Sequence, residues 1–231
     1  MTRTLVSADP DAAVAGIEDG STVLVGGFGL AGMPFDLLDA LIRQGATDLT
    51  IVSNNAGNGE IGLAALLQAG RVRKVICSFP RQQDSYVFDD LYLSGRIDLE
   101  VVPQGTLAER MRAAGAGIGG FFCPTGVGTP LAEGKESRVI DGREYLLELP
   151  IHGDVALIAA HRADTMGNLV YRKTARNFGP VMATAATTTV AQVAEVVPVG
   201  TLDPEAIVTP SIYVDRVVHV QPRHYLVEGA R

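Results

Sequence analysis

The sequence is poor in features that would commit it to many kinds of chemistry. It has two cysteines, Cys77 and Cys123, in 231 residues. They show no C-x-x-C spacing and no histidines clustered round them, so two free thiols in a reducing compartment are expected. The four histidines, His152, His161, His219 and His224, are scattered without metal-binding spacing and read as ordinary side chains. Apolar runs are short. The longest, at 155–160, falls well below the roughly 20 residues that cross a bilayer. The first seven residues lack the apolar stretch of a secretory signal, so a soluble cytoplasmic protein is expected, with no membrane partner. There is also little basic charge: the net charge is −7, and the longest basic cluster is Arg71, Arg73 and Lys74. That cluster sits at a helix-to-strand junction, where a helix C-terminus favours cations through its dipole. An acidic chain without a basic face is not expected to bind nucleic acid. No G-x-S-x-G is present, which removes a hydrolase nucleophile elbow. Residues 128–136 approach a P-loop, but the spacing is off by one and Glu136 stands where Ser or Thr is needed. No internal repeat or low-complexity tract appears.

What the chain does have is apolar content, 47%, enough for a sizeable core. Its pattern alternates between short β-rich runs and helical periods. Residues 23–25, 49–52, 74–78 and 98–102 read as buried strands. Residues 35–44, 61–69, 84–94 and 106–114 read as helices. The first of these follows Pro34 and stops at Gly45, with Phe35, Leu38, Leu41 and Ile42 on one face. This rhythm predicts an α/β fold, a mostly parallel sheet flanked by helices. The middle departs from it. Residues 115–134 are rich in Gly, Pro and Thr and read as a long loop. Residues 137–140 and 144–147 flank Asp141-Gly142-Arg143, a hairpin signal. Strand 155–160, a helix at 187–196 and a late strand at 216–220 complete the pattern. We therefore expect one domain over residues 1–231, with a loop and β-hairpin insertion at about 115–150.

The most informative stretch is Asp19-Gly20-Ser21-Thr22-Val23-Leu24-Val25-Gly26-Gly27-Phe28-Gly29-Leu30-Ala31-Gly32-Met33-Pro34. It runs from a strand through a glycine loop into a helix. Glycine permits positive φ and close ligand approach, and a helix start offers unpaired N–H groups to a phosphate or a developing oxyanion. Three readings compete. Gly27-x-Gly29-x-x-Gly32 fits the dinucleotide fingerprint, but the second strand ends in Ser53-Asn54-Asn55 instead of the acid that would hold a ribose. A tight turn without a ligand is the plain structural reading, though five glycines and Phe28 exceed what a turn requires. The third reading takes the whole string, which resembles at every position the first signature of the family I CoA-transferases. The resemblance continues through Ser53-Asn54-Asn55-Ala56-Gly57, through the motif at 103–110, through Pro124-Thr125-Gly126, and through 167–178 and 186–190.

That resemblance implies an enzyme moving CoA between carboxylic acids by ping-pong chemistry on an enzyme glutamate. In the family the glutamate lies in a Ser-Glu-Asn-Gly-like motif of the other half of the molecule. No such motif occurs here, and Asn58-Gly59-Glu60 has the wrong order. Glu60 is instead read as a charge in the first turn of a helix. The resemblance thus implies that no catalytic nucleophile lies in this chain. It also implies a β-type partner subunit, in a heterodimer or α2β2 heterotetramer. CoA thioesters would be substrates, with no permanently bound cofactor and no metal. Gly26, Gly27, Phe28, Gly29, Leu30, Ala31 and Gly32 would contact CoA. Gln104, Asn54 and Asn55 would face the reaction centre, where neutral amides can bind oxyanions without quenching the glutamate. A turn is the alternative reading for all three. The segments 55–62 and 77–82 are most similar to the 3-oxoadipate-using branch, which pairs succinyl-CoA with 3-oxoadipate, and acetoacetate- or acetate-using relatives are the second reading. Arg81 would then bind the distal carboxylate of a dicarboxylate, or be a plain exposed arginine before a helix. Arg172, Lys173 and Arg176 form a local basic group that either attracts CoA or pairs with acids across a subunit interface. A function of another class, a non-catalytic α/β ligand-binding module, would need neither glutamate nor partner.

Overall fold

The computed structural model describes residues 5–82 and 84–221. The chain opens with β1 (Leu5–Ser7) and a short helix α1 (Pro10–Val14), whose first turn is capped by the Asp9 carboxylate accepting from the Ala12 N–H. Neither element was expected from the sequence. The predicted rhythm follows: β2 (Thr22–Val25), α2 (Phe35–Gln44), β3 (Leu49–Asn55), α3 (Leu63–Gln68), β4 (Val72–Phe79), α4 (Tyr86–Leu93), β5 (Asp98–Val101) and α5 (Gln104–Gly115). Helix α2 has the expected bounds and stops because Gly45 takes the left-handed conformation, its N–H donating to Leu41 O. It buries Phe35, Leu37, Leu38 and Leu41, each contributing up to about 2 kcal/mol.

The insertion holds more structure than a loop and a hairpin. Strand β6 (Phe121–Cys123) lies inside the expected loop, and it joins β7 (Ser137–Ile140) and β8 (Arg143–Glu148) in a separate antiparallel sheet of order β6-β8-β7. The hairpin turn is as expected, with Asp141 and Gly142 both at positive φ. The chain then runs through β9 (Gly153–Asp164), β10 (Leu169–Val170), helix α6 (Gly179–Ala185), β11 (Ala186–Val197) and β12 (Arg216–His219).

One expectation is overturned. Residues 187–196 form no helix; they lie within β11, a central strand paired in parallel with β9 and with β12. The β-branched run Thr187, Thr188, Thr189 and Val190 favours extended backbone, and the helix-like text Ala191-Gln192-Val193-Ala194 is overridden by burial between two strands. The helix is α6 instead, just upstream, with Pro180 in its first turn.

The main sheet has nine strands in the order β1-β12-β11-β9-β2-β3-β4-β5, with β10 antiparallel on β9 and all other pairings parallel. Two cores cover it. One packs α1, α2, α3 and α4 on one face, and the other packs α5 and α6 on the opposite face. The chain builds outward from β2 to β5 with its crossovers on one face. It then returns with α5 on the other and lays β9 on the far side of β2. The reversal puts a topological switch point between β2 and β9, and the carboxyl ends of open parallel sheets form their ligand crevice at such points.

Candidate active site

The glycine loop leaves β2 at this switch point. The Gly26 N–H donates to Leu157 O of β9 at 3.0 Å, extending the ladder by one rung. Phe28 and Ala31 then exchange two backbone hydrogen bonds, at 3.0 and 3.2 Å, closing a tight turn over Gly29 and Leu30. Gly29 has φ +59°, as a turn of this hand requires at its first central residue. Among the described residues, the N–H groups of Gly29, Leu30 and Gly32 donate to no acceptor in the chain. The Phe28 ring stands 54% exposed above them.

The loop is held from the side by Asn177. Its Oδ1 accepts from the Gly27 N–H at 3.2 Å, and its Nδ2 donates to Ala31 O and Thr174 O, both at 2.8 Å. Gly32 sits so close to this segment that a Cβ would lie 2.5 Å from Ala175 O. Only glycine fits there.

The start of α2 is not the open anion site that the sequence led us to expect. The side-chain oxygen of Gln192, on β11, accepts from the N–H groups of Asp36 and Leu37 at 3.0 and 3.2 Å. Its Nε2 donates to the Asp36 carboxylate at 3.3 Å. The helix terminus is capped from within the core, so the free donors of this region belong to the glycine turn.

Next to the loop lies a cluster of neutral polar groups. Leu24 pairs with Val52, so two residues further on the start of the glycine loop runs beside Asn54. Asn54 and Asn55 form the end of β3 and are not a turn after it; both are buried. Asn54 Oδ1 accepts from Gln104 Nε2 at 2.7 Å and from Ser78 Oγ at 2.8 Å. Gln104 is the first residue of α5 and reaches back over the strand ends from the helix that follows β5. Strand alternation sends Asn55 to the opposite face. Its Oδ1 accepts from the Gly57 N–H at 2.8 Å, and its Nδ2 is buried without a partner. The structure therefore joins Gln104 to Asn54 and leaves Asn55 apart from them. Ser78 was missed in the sequence. Its signal was the alternation along β4, which turns Ser78 to the same face as Ile76, in the core that α5 covers.

The remaining residues resolve as follows. Arg81 follows β4, with its side chain 60% exposed and its Nε 2.6 Å from the Asp89 carboxylate. Glu60 lies exposed in the turn before α3, outside the helix's first turn, which starts at Leu63. The basic cluster at 71–74 stands at the expected helix-to-strand junction, between α3 and β4, but its cations pair elsewhere than at the end of α3. Arg71 donates to Gly45 O and Ile42 O, at the end of α2 and not of α3. Arg73 pairs with Asp48 and Asp98, and Lys74 with Glu100. Both cysteines are free, and burial pushes the Cys77 thiol up to about 12, which makes it unreactive near neutral pH. His152, His161 and His219 are dispersed, and His224 lies outside the described residues. No helix among the described residues is long and apolar enough to cross a membrane.

Two clefts flank the contact between the glycine loop and the segment before α6. One, of about 520 Å³, is lined mainly by Leu30, Met33, Phe35, Ala159 and Val193, with His161 and Arg172 among its polar groups. The other, of about 600 Å³, is lined by Phe28, Ala31, Lys173, Thr174, Arg176 and Asn177. Exposed backbone donors, a neutral amide pair and adjacent cations at the carboxyl edge of a parallel sheet suit an anionic acyl substrate whose reaction develops an oxyanion.

Comparison with known proteins agrees with this arrangement. The coenzyme A transferase family model matches residues 8–220. The chain is 71% identical over 208 residues to the A-type subunit of the 3-oxoadipate CoA-transferase of Pseudomonas putida, covering 90% of each. It is 50% identical over 212 residues to the A-type subunit of the succinyl-CoA:3-ketoacid coenzyme A transferase of Helicobacter pylori, covering 92% of this chain and 90% of that one. Among solved structures, an acyl-CoA transferase from Escherichia coli O157:H7, in its thioester complex with CoA, aligns at a TM-score of 0.83 with 26% identity. That match covers 100% of this chain and 50% of the other, so the chain spans about half the length of that enzyme.

Proposed function

This chain belongs to the coenzyme A transferase family, and on that premise we propose that it is the A-type half of a two-subunit enzyme moving CoA from succinyl-CoA to 3-oxoadipate. The observation that carries the substrate pair is the gradient of identity, 71% to the 3-oxoadipate relative against 50% to the 3-ketoacid one. In this reading the partner subunit supplies a glutamate carboxylate. The carboxylate attacks the thioester carbonyl, and the CoA thiolate leaves with the electron pair of the broken C–S bond. The product is a mixed anhydride of glutamate and succinate. The thiolate then attacks the glutamyl carbonyl, forms a glutamyl-CoA thioester and releases succinate. The acceptor acid runs the same steps in reverse, which gives ping-pong kinetics.

Each attack passes through a tetrahedral oxyanion, and this chain supplies groups to stabilise it. Gln104 and Asn54 are neutral, so they donate to an oxyanion without pairing with the nucleophilic carboxylate. The mutual hydrogen bond at 2.7 Å holds both amides before substrate arrives. The N–H groups of the glycine turn donate to oxygens of the CoA moiety. Asn55 supports the turn beside them, and Arg81 takes the distal carboxylate of the dicarboxylic acids, exchanging Asp89 for it. The partner closes over the carboxyl edge of the sheet and keeps water from the anhydride.

The test is CoA transfer from succinyl-CoA to 3-oxoadipate by this chain alone and by the chain co-expressed with its B-type partner. Activity is expected with the partner only. Transfer to acetoacetate but not to 3-oxoadipate would retain the reaction class and overturn the substrate pair. Activity of the chain alone would overturn the two-subunit reading.

A further inference from the structure

The amide cluster has a third member, Ser78, whose side-chain hydrogen bonds all go to Asn54. Parallel pairing of β3 with β4 matches Ser53 to Cys77 and Asn55 to Phe79, so Ser78 lies directly beside Asn54. Alternation puts Asn54 on the face of Val52 and Ser78 on that of Ile76, and both of those belong to the core under α5. The Ser78 hydroxyl has one hydrogen to give. Its shorter contact is with Asn54 Oδ1, at 2.8 Å, against 3.1 Å to the Asn54 carbonyl. Gln104 Nε2 donates to the same Oδ1 at 2.7 Å, from the first residue of α5. Two donors thus converge on one side-chain oxygen of a residue that is 2% exposed. Among the described residues nothing accepts from the Asn54 Nδ2 hydrogens.

Resting on the reading that Asn54 and Gln104 stabilise the oxyanion, we propose that Ser78 is a positioning residue for that step and sets which end of the Asn54 amide faces the reacting carbonyl. A primary amide is nearly symmetric in shape, with an acceptor at one end and two donors at the other. Turned by half a rotation, Asn54 would present its oxygen, whose lone pairs repel an oxyanion. Gln104 alone does not fix the choice, because its own amide can turn and then accept where it now donates. The Ser78 hydrogen breaks the tie. While it points at Oδ1, an NH2 group in that place would meet it donor against donor. With the oxygen filled by two donors, the NH2 is left to donate outward. Removing the hydroxyl frees the two amides to turn together, and part of the population then presents oxygen where negative charge develops. The thioester carbonyl of the ground state carries far less charge, so the effect falls on the rate and not on affinity.

The test uses the assembled two-subunit enzyme with Ser78→Ala, Ser78→Thr, Asn54→Ala and the Ser78→Ala/Asn54→Ala pair. It reads the first half-reaction, the burst of succinate released from succinyl-CoA. In Ser78→Ala the burst rate at saturating succinyl-CoA is expected to fall roughly ten-fold, the size of one lost hydrogen bond, at an unchanged half-saturating concentration. Ser78→Thr keeps the hydroxyl on a residue that suits a strand, and should hold the wild-type rate to within about two-fold. In the Asn54→Ala background, Ser78→Ala should add less than about two-fold, because no amide remains to orient. An unchanged rate in Ser78→Ala would overturn the proposal. A loss undiminished in the Asn54→Ala background would overturn it too, making Ser78 a packing residue of β4. So would a loss confined to the half-saturating concentration, or a Thr variant as slow as the Ala one. If Ser78→Ala does not co-elute with the partner on size exclusion, Ser78→Cys takes its place. The thiol keeps the shape and donates only weakly, so a fall of about three-fold supports the proposal and a wild-type rate overturns it. The acceptor acid takes no part in this measurement, so an error in the 3-oxoadipate assignment would leave its outcome intact. Full activity of Asn54→Ala would instead count against the oxyanion reading in the proposed function.

Discussion

At the scale of single residues, the candidate site is shaped by a few side chains whose positions are set by what they touch. Asn54 illustrates this. Its side-chain oxygen is occupied by Gln104 and Ser78, so its orientation is fixed by two donors from two other elements. Its neighbour Asn55, one position along the same strand, points to the other face and serves a turn. Arg81 offers the sharpest test. Its pair with Asp89 is exposed, and such pairs contribute about 0–1 kcal/mol, so removing it should hardly affect stability. We predict that Arg81→Leu lowers the preference of the assembled enzyme for 3-oxoadipate over acetoacetate by about ten-fold at an unchanged melting temperature. Competition kinetics with both acids would check this, and an unchanged ratio would remove Arg81 from the site. The two motifs containing Asn54 and Gln104, at 53–57 and 103–110, were legible in the sequence. Their mutual hydrogen bond was not, because it joins residues 50 positions apart.

At the scale of elements, the decisive contact is the cap on α2. Pro34 precedes the helix and supplies no side-chain cap, so the first N–H groups need an acceptor from elsewhere. Gln192 provides it from β11. We predict that Gln192→Leu costs about 1–3 kcal/mol, since two nearly buried donors lose their acceptor. Hydrogen exchange at the Asp36 and Leu37 amides should accelerate, and a variant with native protection there would contradict the capping role. The α2 bounds were readable because Pro34, the apolar stripe and Gly45 are local signals. The strand identity of 187–196 was not. Its text carries both Ala and β-branched residues, and the choice between helix and strand was made by β9 and β12 on either side.

At the scale of the whole molecule, an ionic network fastens the insertion to the main sheet. Glu148, at the end of β8, is buried and pairs with Lys135 at 2.6 Å. Arg110 of α5 lies between Glu148 and Glu100, and Glu100 of β5 also takes Lys74 at 2.6 Å. Burial alone would raise the Glu100 carboxyl, but the hydrogen bonds from Lys74 and Arg110 outweigh it and hold the group below its ordinary 4.5. A lowered folded value means that the unfolded chain takes up the proton first. The stabilisation is therefore full above about 4.5 and is lost as the pH falls through the lower folded value. We predict that Glu100→Gln costs on the order of 1 kcal/mol at neutral pH, the partial exposure of the pair limiting it. The gap to the wild type should close below about pH 4. Thermal midpoints of both proteins across that range would test it, and a gap independent of pH would place the effect in packing. By itself the sequence determined the alternation of strands and helices, the glycine turn after β2 and the residue types gathered in its motifs, because each is written in neighbouring positions. Only the tertiary structure decided that α2 is capped by Gln192, that Asn177 locks the glycine turn and that Asn54 and Asn55 face opposite ways in the folded sheet. Those outcomes depend on pairings across up to 156 residues, which form only when a parallel sheet brings distant strand ends to one edge.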